Sequence, residues 1–468
     1  MKSVKENYIY SVLYQILSIA LPLVTIPYVS RIFGPEGLGI YSYTSSISQY
    51  FYLFALLGIN NYGVRAIAVV REEIDKRNII FSEIYSMQLF FSLLVLFLYF
   101  IYTLTWGIQY QVFFIIFSLN IIATLFDVNW YFFGTEKFKL TVVRNTIIKL
   151  LSLVAIFLFI KEPSDLWIYI FIHSVSVLLT SVVLWPYLRR EITFIKPKFA
   201  NVIKHIQPNF IMFVPVVAVS VYKFMDKIML GNFSIIEAGY YETAEKILTV
   251  VLGLVTAFGT VMLPRMSFLA ANESKENVFA YIGKSMDFIM FLSISIACGI
   301  YAVAPDLIPM YFGPEFMSCV EIMEALVITA VITSWANVIR TQYLIPFHHD
   351  SVYVWSVILG AVTNFLLNLL LIKKFGAMGA VVGTIAAELV VAIIQSVKSK
   401  KELPIFKMII RSVPFLLFGI IMIIIVRLVS NLQIDIYVRL IFEIFIGAII
   451  YLIPSFIYFK KYIKSRHL

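Results

Sequence analysis

The chain has 468 residues, of which 61% are hydrophobic and only 14% charged, and its mean hydropathy is +0.92. A soluble domain carries about a quarter charged residues, so this composition excludes a soluble enzyme of ordinary make-up. The net charge of +10 sits in short clusters between apolar runs. It is therefore assigned to membrane topology and not to nucleic-acid binding.

The first apolar run follows Lys2 and Lys5 and continues through Pro22 and Pro27 with no small-residue cleavage site, so it reads as a first span and not as a signal peptide. From there the runs repeat at bilayer length. Expected spans are 8–31, 40–64, 81–103, 111–133, 143–160, 166–187, 207–230, 240–264, 285–304, 319–345, 353–372, 378–397, 408–430 and 437–459. The alternation at about ten residues that marks a transmembrane β-barrel is absent. The expected fold class is an all-α integral membrane protein of about fourteen transmembrane helices. With the N-terminus inside, 27 of the 37 Lys and Arg fall on the cytoplasmic side, among them Arg65, Arg71, Lys137, Lys139, Arg189, Arg190, Lys400 and Lys460. Six fall outside: Arg31, Lys161, Lys373, Lys374, Arg427 and Arg439. That asymmetry places both termini in the cytoplasm.

The longest loop, about 188–206, divides the first six spans from the next six. The expected organisation is an N-terminal lobe over 1–190, a linker over 191–206, a C-terminal lobe over 207–400, and two further helices with a basic tail over 401–468. The lobes share features. The first span of each carries two prolines, Pro22 and Pro27, then Pro208 and Pro215. Each is followed by a short outer turn and a Gly-x-Tyr entry, Gly39-Ile40-Tyr41 and Gly239-Tyr240-Tyr241. Phe33-Gly34-Pro35-Glu36 recurs as Phe312-Gly313-Pro314-Glu315, again in an outer turn. A parallel repeat implies a pseudo-two-fold along the membrane normal, as in alternating-access transporters. The paired prolines are read as gating kinks; the plain alternative is that they only bend the helices.

Ionisable residues inside spans are costly and mark partners or cavities. Lys223, Asp226 and Lys227 are spaced to share one helix face, and Glu242, Glu245 and Lys246 repeat the spacing. Either they neutralise one another and pin a hairpin, or the cations line a solvated cavity and attract an anionic substrate. Arg31, Arg65 and Arg340 lie at span ends, where anchoring competes with substrate binding. Asp127 and Glu388 read as lone carboxylates, candidates for ion coupling or for hydrogen-bonded structural acids. His173 reads as structural. Cys298 and Cys319 lie in or beside apolar segments and belong to no metal pattern. No Gly-rich phosphate loop is present, since Gly283-Lys284-Ser285 lacks the upstream glycine, and there is no HExxH. No cofactor, metal or catalytic residue is expected. The short outer loops leave no room for a membrane polymerase or glycosyltransferase.

An ordered set of motifs adds a resemblance. It runs through Pro22-Leu23-Val24-Thr25-Ile26-Pro27-Tyr28-Val29-Ser30-Arg31, Gly34-Pro35-Glu36-Gly37-Leu38-Gly39, Leu57-Gly58-Ile59 and Tyr62-Gly63-Val64-Arg65. It continues with Asp226-Lys227-Ile228-Met229-Leu230-Gly231, Ala244-Glu245-Lys246, Leu263-Pro264-Arg265-Met266-Ser267 and Gly376-Ala377-Met378-Gly379-Ala380. Across the whole chain this resembles the polysaccharide-transporter family of Wzx-type repeat-unit flippases, in the superfamily that also holds MATE exporters and lipid II flippases. The resemblance implies two six-helix lobes around a V-shaped central cavity, plus two helices. It implies movement of undecaprenyl-pyrophosphate-linked oligosaccharides from the inner to the outer leaflet of a bacterial cytoplasmic membrane, for capsule or O-antigen assembly. Membrane lipids, and a polysaccharide polymerase with other assembly proteins, are the implied partners. Arg31, Lys223, Asp226, Lys227, Lys246 and Arg340 then fall in or near helices expected to line that cavity. The alternative is a MATE-like ion-coupled exporter of small molecules, which the several in-span lysines disfavour.

Overall fold

The computed structural model describes the backbone of residues 2–460 and the side chains of residues 21–460, apart from those of Phe138, Pro215, Tyr222, Leu254, Thr260 and Val261. The side chains of Lys2, Lys5 and Pro215, and the basic residues Lys461, Lys464 and Arg466, lie outside the described residues. The described chain is helical, without a strand. Lipid offers the backbone no hydrogen-bonding partner, so each crossing must satisfy its own N–H and C=O groups, as a helix does. Among the described residues eleven segments are long and apolar enough to cross a bilayer, or twelve when a bent pair is taken as one span.

Contacts divide the chain into two compact units, Met1–Gly231 and Asn232–Leu468. The first unit opens with α1 (Lys2–Leu56), α2 (Ile59–Val70), α3 (Ile74–Thr105), α4 (Gln111–Leu125) and α5 (Asn129–Gly134). It continues through α6 (Phe138–Phe159), α7 (Leu166–Val182), α8 (Trp185–Leu188), α9 (Phe199–Lys204) and most of α10 (Ile206–Phe233). Helix α1 is two helices in one: Gly34 breaks it at φ 61°. That left-handed value admits glycine without the Cβ clash of other residues, so Phe33-Gly34-Pro35 turns the chain without a loop. The buried core gathers Phe81, Trp130, Tyr131 and Phe132 with Leu184 and Leu188.

The boundary falls one helix beyond the expected linker, because the C-terminal half of α10 packs on the second half of α1. The Tyr50 hydroxyl donates to the Ser220 carbonyl at 3.2 Å, and Gly231 lies so close to the Tyr43 ring that no side chain fits between them. Within this region the chain bends by 43° between Phe199–Val214 and Val216–Phe233. In α1 the backbone stays helical at Pro22 and Pro27 and leaves helical geometry only at Gly34.

The second unit holds α11 (Ile235–Asn272), α12 (Lys275–Phe312), α13 (Cys319–Leu326), α14 (Ile328–Ile339), α15 (Asp350–Ser399), α16 (Ile405–Val429) and α17 (Ile436–Tyr458). Helix α15 repeats the device of α1: Gly376, again after a phenylalanine, breaks it at φ 55°. The Glu237 carboxylate accepts the Ala377 N–H at 2.7 Å and so caps the second half of α15. The second Phe-Gly-Pro-Glu also ends a helix, with Gly313 at φ 116°. Its turn joins α12 to α13, however, whereas the first breaks α1, so the two copies occupy different steps of the helix order. The core of this unit runs along α12, α14, α16 and α17 through Ile289, Ile294, Tyr343, Phe415 and Tyr451.

Four expected spans are interrupted where they were drawn as continuous: 40–64 at Leu57-Gly58 and 166–187 at Val183-Leu184, and two more at or near charged residues. The one over 111–133 breaks between α4 and α5, at Asp127. The one over 319–345 ends in a π-helical turn, Arg340–Leu344. Of these, the break at Asp127 and the π turn at Arg340 coincide with ionisable residues.

Candidate functional site

In the first unit, the candidate triplet on α10 is not one uniform face. Asp226 and Lys227 are buried, while Lys223 is exposed with its ammonium 5.6 Å from the centroid of the Phe224 ring. Phe224 in turn meets the Tyr50 ring edge-on at 5.8 Å. A spacing of i, i+3, i+4 sets a stripe about one residue wide, and here its margin turns outward at Lys223. Arg31 is exposed, three residues before the break in α1.

Asp127, expected as a lone carboxylate, is not alone. It is buried at the gap between α4 and α5 and accepts the Asn129 backbone N–H at 2.9 Å and the Asn129 side-chain amide at 2.7 Å. The Asn129 oxygen accepts from Arg144 at 3.0 Å. The carboxylate thus starts α5 as an Asx turn does, and an amide relays it to a cation. Beside it, Gln88 donates to the Thr124 and Asp127 carbonyls at 2.6 and 2.7 Å and accepts from Trp130 at 2.9 Å. One amide side chain therefore fills the backbone vacancies left by the broken helix.

In the second unit, the triplet on α11 contains an ion pair, Lys246 with Glu242 at 3.4 Å across one helical turn. Glu242 is buried; Glu245 and Lys246 are half-buried. Arg340 opens the π turn with its guanidinium 5.5 Å from the centroid of the Tyr353 ring, a geometry for cation–π attraction. Glu388, on the second half of α15, is hydrogen-bonded to Thr333 and lies within electrostatic reach of Arg340. So Glu388 is no lone acid either. Arg340, Tyr353, Thr333 and Glu388 form a set on α14, the π turn and both halves of α15. Single π turns often sit at functional sites, because the extra residue redirects side chains.

Three ion pairs escaped the sequence reading, which used their cations only to count topology. Asp306 holds Arg439 through two hydrogen bonds, at 2.5 and 2.7 Å. Glu324 pairs with Arg427, which also donates to the Tyr301 carbonyl at 2.7 Å. Asp287 pairs with Arg411 at 3.4 Å. Each arginine comes from α16 or α17 and each acid from α12 or α13. The signal was in the sequence: Asp287 and Glu324 break apolar runs as plainly as Glu388 does.

Comparison with known proteins locates this architecture. Residues 4–270 match the family described as polysaccharide biosynthesis protein. A putative O-antigen transporter of Shigella dysenteriae is 25% identical over 384 residues, covering 80% of this chain and 94% of that protein. A putative O-antigen transporter of Escherichia coli (strain K12) is 24% identical over 397 residues, covering 83% and 95%. A probable low-salt glycan biosynthesis flippase, Agl15 of Haloferax volcanii, is 25% identical over 35% of this chain. Among solved structures, the lipid II flippase MurJ in its inward closed conformation superposes with a TM-score of 0.71 at 15% identity, covering 98% of this chain and 99% of that one. At that identity the likeness is one of fold. More than half of the chain matches the family itself, so this multi-pass helical membrane protein belongs to the polysaccharide biosynthesis protein family, as its ordered motifs implied.

Proposed function

We propose that this chain is a transporter that moves lipid-linked oligosaccharide repeat units across the cytoplasmic membrane, from the inner to the outer leaflet, by alternating access. The observation that carries the reading is one of extent. Relatives named as putative O-antigen transporters align over four-fifths of the chain, and a lipid II flippase shares its fold over 98% of it. Substrates of this kind need such a protein, because sugar hydroxyls and a pyrophosphate would lose their water in hydrocarbon without replacement. Arg31, Lys223, Lys227, Lys246 and Arg340 are the proposed replacements for that hydration. Arginine and lysine give phosphates charge-assisted hydrogen bonds. Glu388, held by Thr333 near Arg340, is the proposed ion-coupling acid; Asp226, Glu242, Glu245 and Asp127 serve charge pairing.

In this reading the membrane is crossed fourteen times. Support comes from the two 50-residue segments, Leu21–Val70 and Asp350–Ser399, each broken at a positive-φ glycine and so long enough for two passes. Six crossings, six more and a final two then form two lobes and an added pair, with both ends in the cytoplasm. The bend in α10 lets Pro208 and Pro215 act as a gate, with Pro22 and Pro27 as their counterpart. A polymerase and other assembly proteins would receive the product.

The test is complementation of a strain lacking its own repeat-unit transporter. Converting Lys223, Lys227 and Lys246 together to Gln is expected to abolish surface polysaccharide while the amount of protein in the membrane stays unchanged. Normal polymer from that variant would remove the cationic route. Failure of the wild-type chain to move a fluorescent isoprenoid-diphosphate sugar across proteoliposomes would remove the function.

A further inference from the structure

The last helix carries an acid that the ion pairs leave over. Glu443 lies two turns into α17 and is 1% exposed. No donor among the described residues bonds to either of its carboxylate oxygens. Arg439, one turn earlier on the same face, is engaged elsewhere: it holds both oxygens of Asp306 and donates to the Leu432 carbonyl at 3.3 Å. What Glu443 does reach is the Asp306 carboxyl group on α12, at hydrogen-bonding distance.

The surroundings supply no cation of its own to Glu443. Helix α17 packs on α12 and α16. From α12 the charged group is Asp306. From α16 it is Arg427, which acts on Glu443 through space while it pairs with Glu324 of α13 and donates to the Tyr301 carbonyl at 2.7 Å. Asp435 caps α17 from an exposed position and accepts the Tyr437 N–H at 2.9 Å. Asp306, Glu324 and Glu443, buried or half-buried, thus stand against Arg427 and Arg439, which leaves one negative charge over. An ionised carboxylate inside a membrane protein without a cation is costly, and two carboxylates in hydrogen-bond contact cannot both be ionised. Every oxygen of the pair is an acceptor until one carries a proton, which then becomes the donor between them. A single proton removes the excess charge and supplies the missing donor.

We propose that Glu443 and Asp306 form a proton-binding site, in which one proton bridges the two carboxyl groups and fastens α17 to α12. Loss of that proton sets two carboxylates against each other and loosens the last helix. The site is separate from the transport reading, whose proposed ion-coupling acid is Glu388, and either can fail alone.

The test is unfolding of the full chain in mild detergent across a pH series, wild type against Glu443→Gln, which has the shape of the protonated acid. An unfolded glutamate gives up its proton at about pH 4.3. Above that value the folded wild type binds one proton more than the unfolded chain, so its stability falls as pH rises, by about tenfold in the unfolding constant for each pH unit. The E443Q chain binds no such proton. The ratio of wild-type to E443Q unfolding constants is therefore expected to climb about tenfold per unit between about pH 5.5 and about pH 7.5. Asp306→Asn, which leaves Glu443 to Arg439, should flatten the slope in the same way and serves as the test if E443Q does not fold. Glu276→Gln, in the first turn of α12 and so at the opposite end from Asp306, should keep the wild-type slope. In the infrared difference spectrum of wild type minus E443Q at neutral pH, a deuterium-sensitive stretch of a protonated carboxyl group is expected. A ratio that stays constant with pH overturns the proposal, as does a difference spectrum without that band.

Discussion

The two units solve the same problem by different chemistry. In Met1–Gly231, the α4–α5 break is bridged mainly by amide side chains around the buried Asp127, and the ion pairs Arg71–Glu136 and Lys137–Glu191 lie on partly exposed side chains. Gln88 bridges α3 to the α4–α5 break, and Tyr99 links to Ser48 and to the Phe114 carbonyl at 2.8 Å each. In Asn232–Leu468, helices are joined by opposite charges: Asp306 with Arg439, Glu324 with Arg427, Asp287 with Arg411. The difference teaches what each region tolerates. A neutral hydrogen bond in a membrane protein contributes little, on average about 0.6 kcal/mol. A buried ion pair contributes little as a whole, yet loss of one partner costs about 3–5 kcal/mol because a charge is stranded. The second unit is therefore expected to be brittle to single substitutions and forgiving of paired ones.

The largest expected effect lies in the ionic unit. Arg439→Gln leaves Asp306 without the cation that donates two hydrogen bonds to it, and should cost about 3–5 kcal/mol in detergent unfolding. Adding Asp306→Asn should recover part of it. If R439Q costs less than the neutral substitution described next, the contrast between the units is broken. Gln88→Leu strands the Trp130 N–H and removes the donor to two carbonyls; about 1–3 kcal/mol is expected from the same unfolding measurement. Glu237→Ala removes the cap at the α15 break and should cost about 1 kcal/mol, with faster amide exchange at Ala377 as its local signature. The smallest effect should be Lys275→Gln. Its pair with Glu402 at 3.2 Å is solvent-exposed, so the melting shift should correspond to less than about 1 kcal/mol. A larger loss there would extend the ionic brittleness to the surface.

Much of this was legible before the structure, and for definite reasons. Apolar runs of bilayer length announce helices because lipid permits little else. Gly34 was visible as a turn residue beside Pro35, and its positive φ is one that selects glycine; Gly376, which breaks α15 in the same way, entered the reading only as part of a motif. The sequence reading also placed an acid inside the span at Asp127 and at Glu388. It described both as solitary: the Asx turn of Asn129 onto Asp127, two residues away, went unread, and the more remote partners lie on other helices, Arg144 acting on Asp127 through Asn129 and Thr333 reaching Glu388 from α14. Sequence separation gives no sign of the inter-helix pairs.

Sequence alone therefore determined the class of the molecule, the positions of most crossings and the charge asymmetry, all of which follow from local composition and the length of a helix across lipid. Its ordered motifs also carried the family. Only tertiary structure decided which charges are neutralised: that Lys246 pairs with Glu242, that Arg340 opens a π turn over Tyr353, and that Asp306 belongs to Arg439. The physical reason is that a span is specified by residues in a row, while the partner of a buried charge is specified by packing between helices.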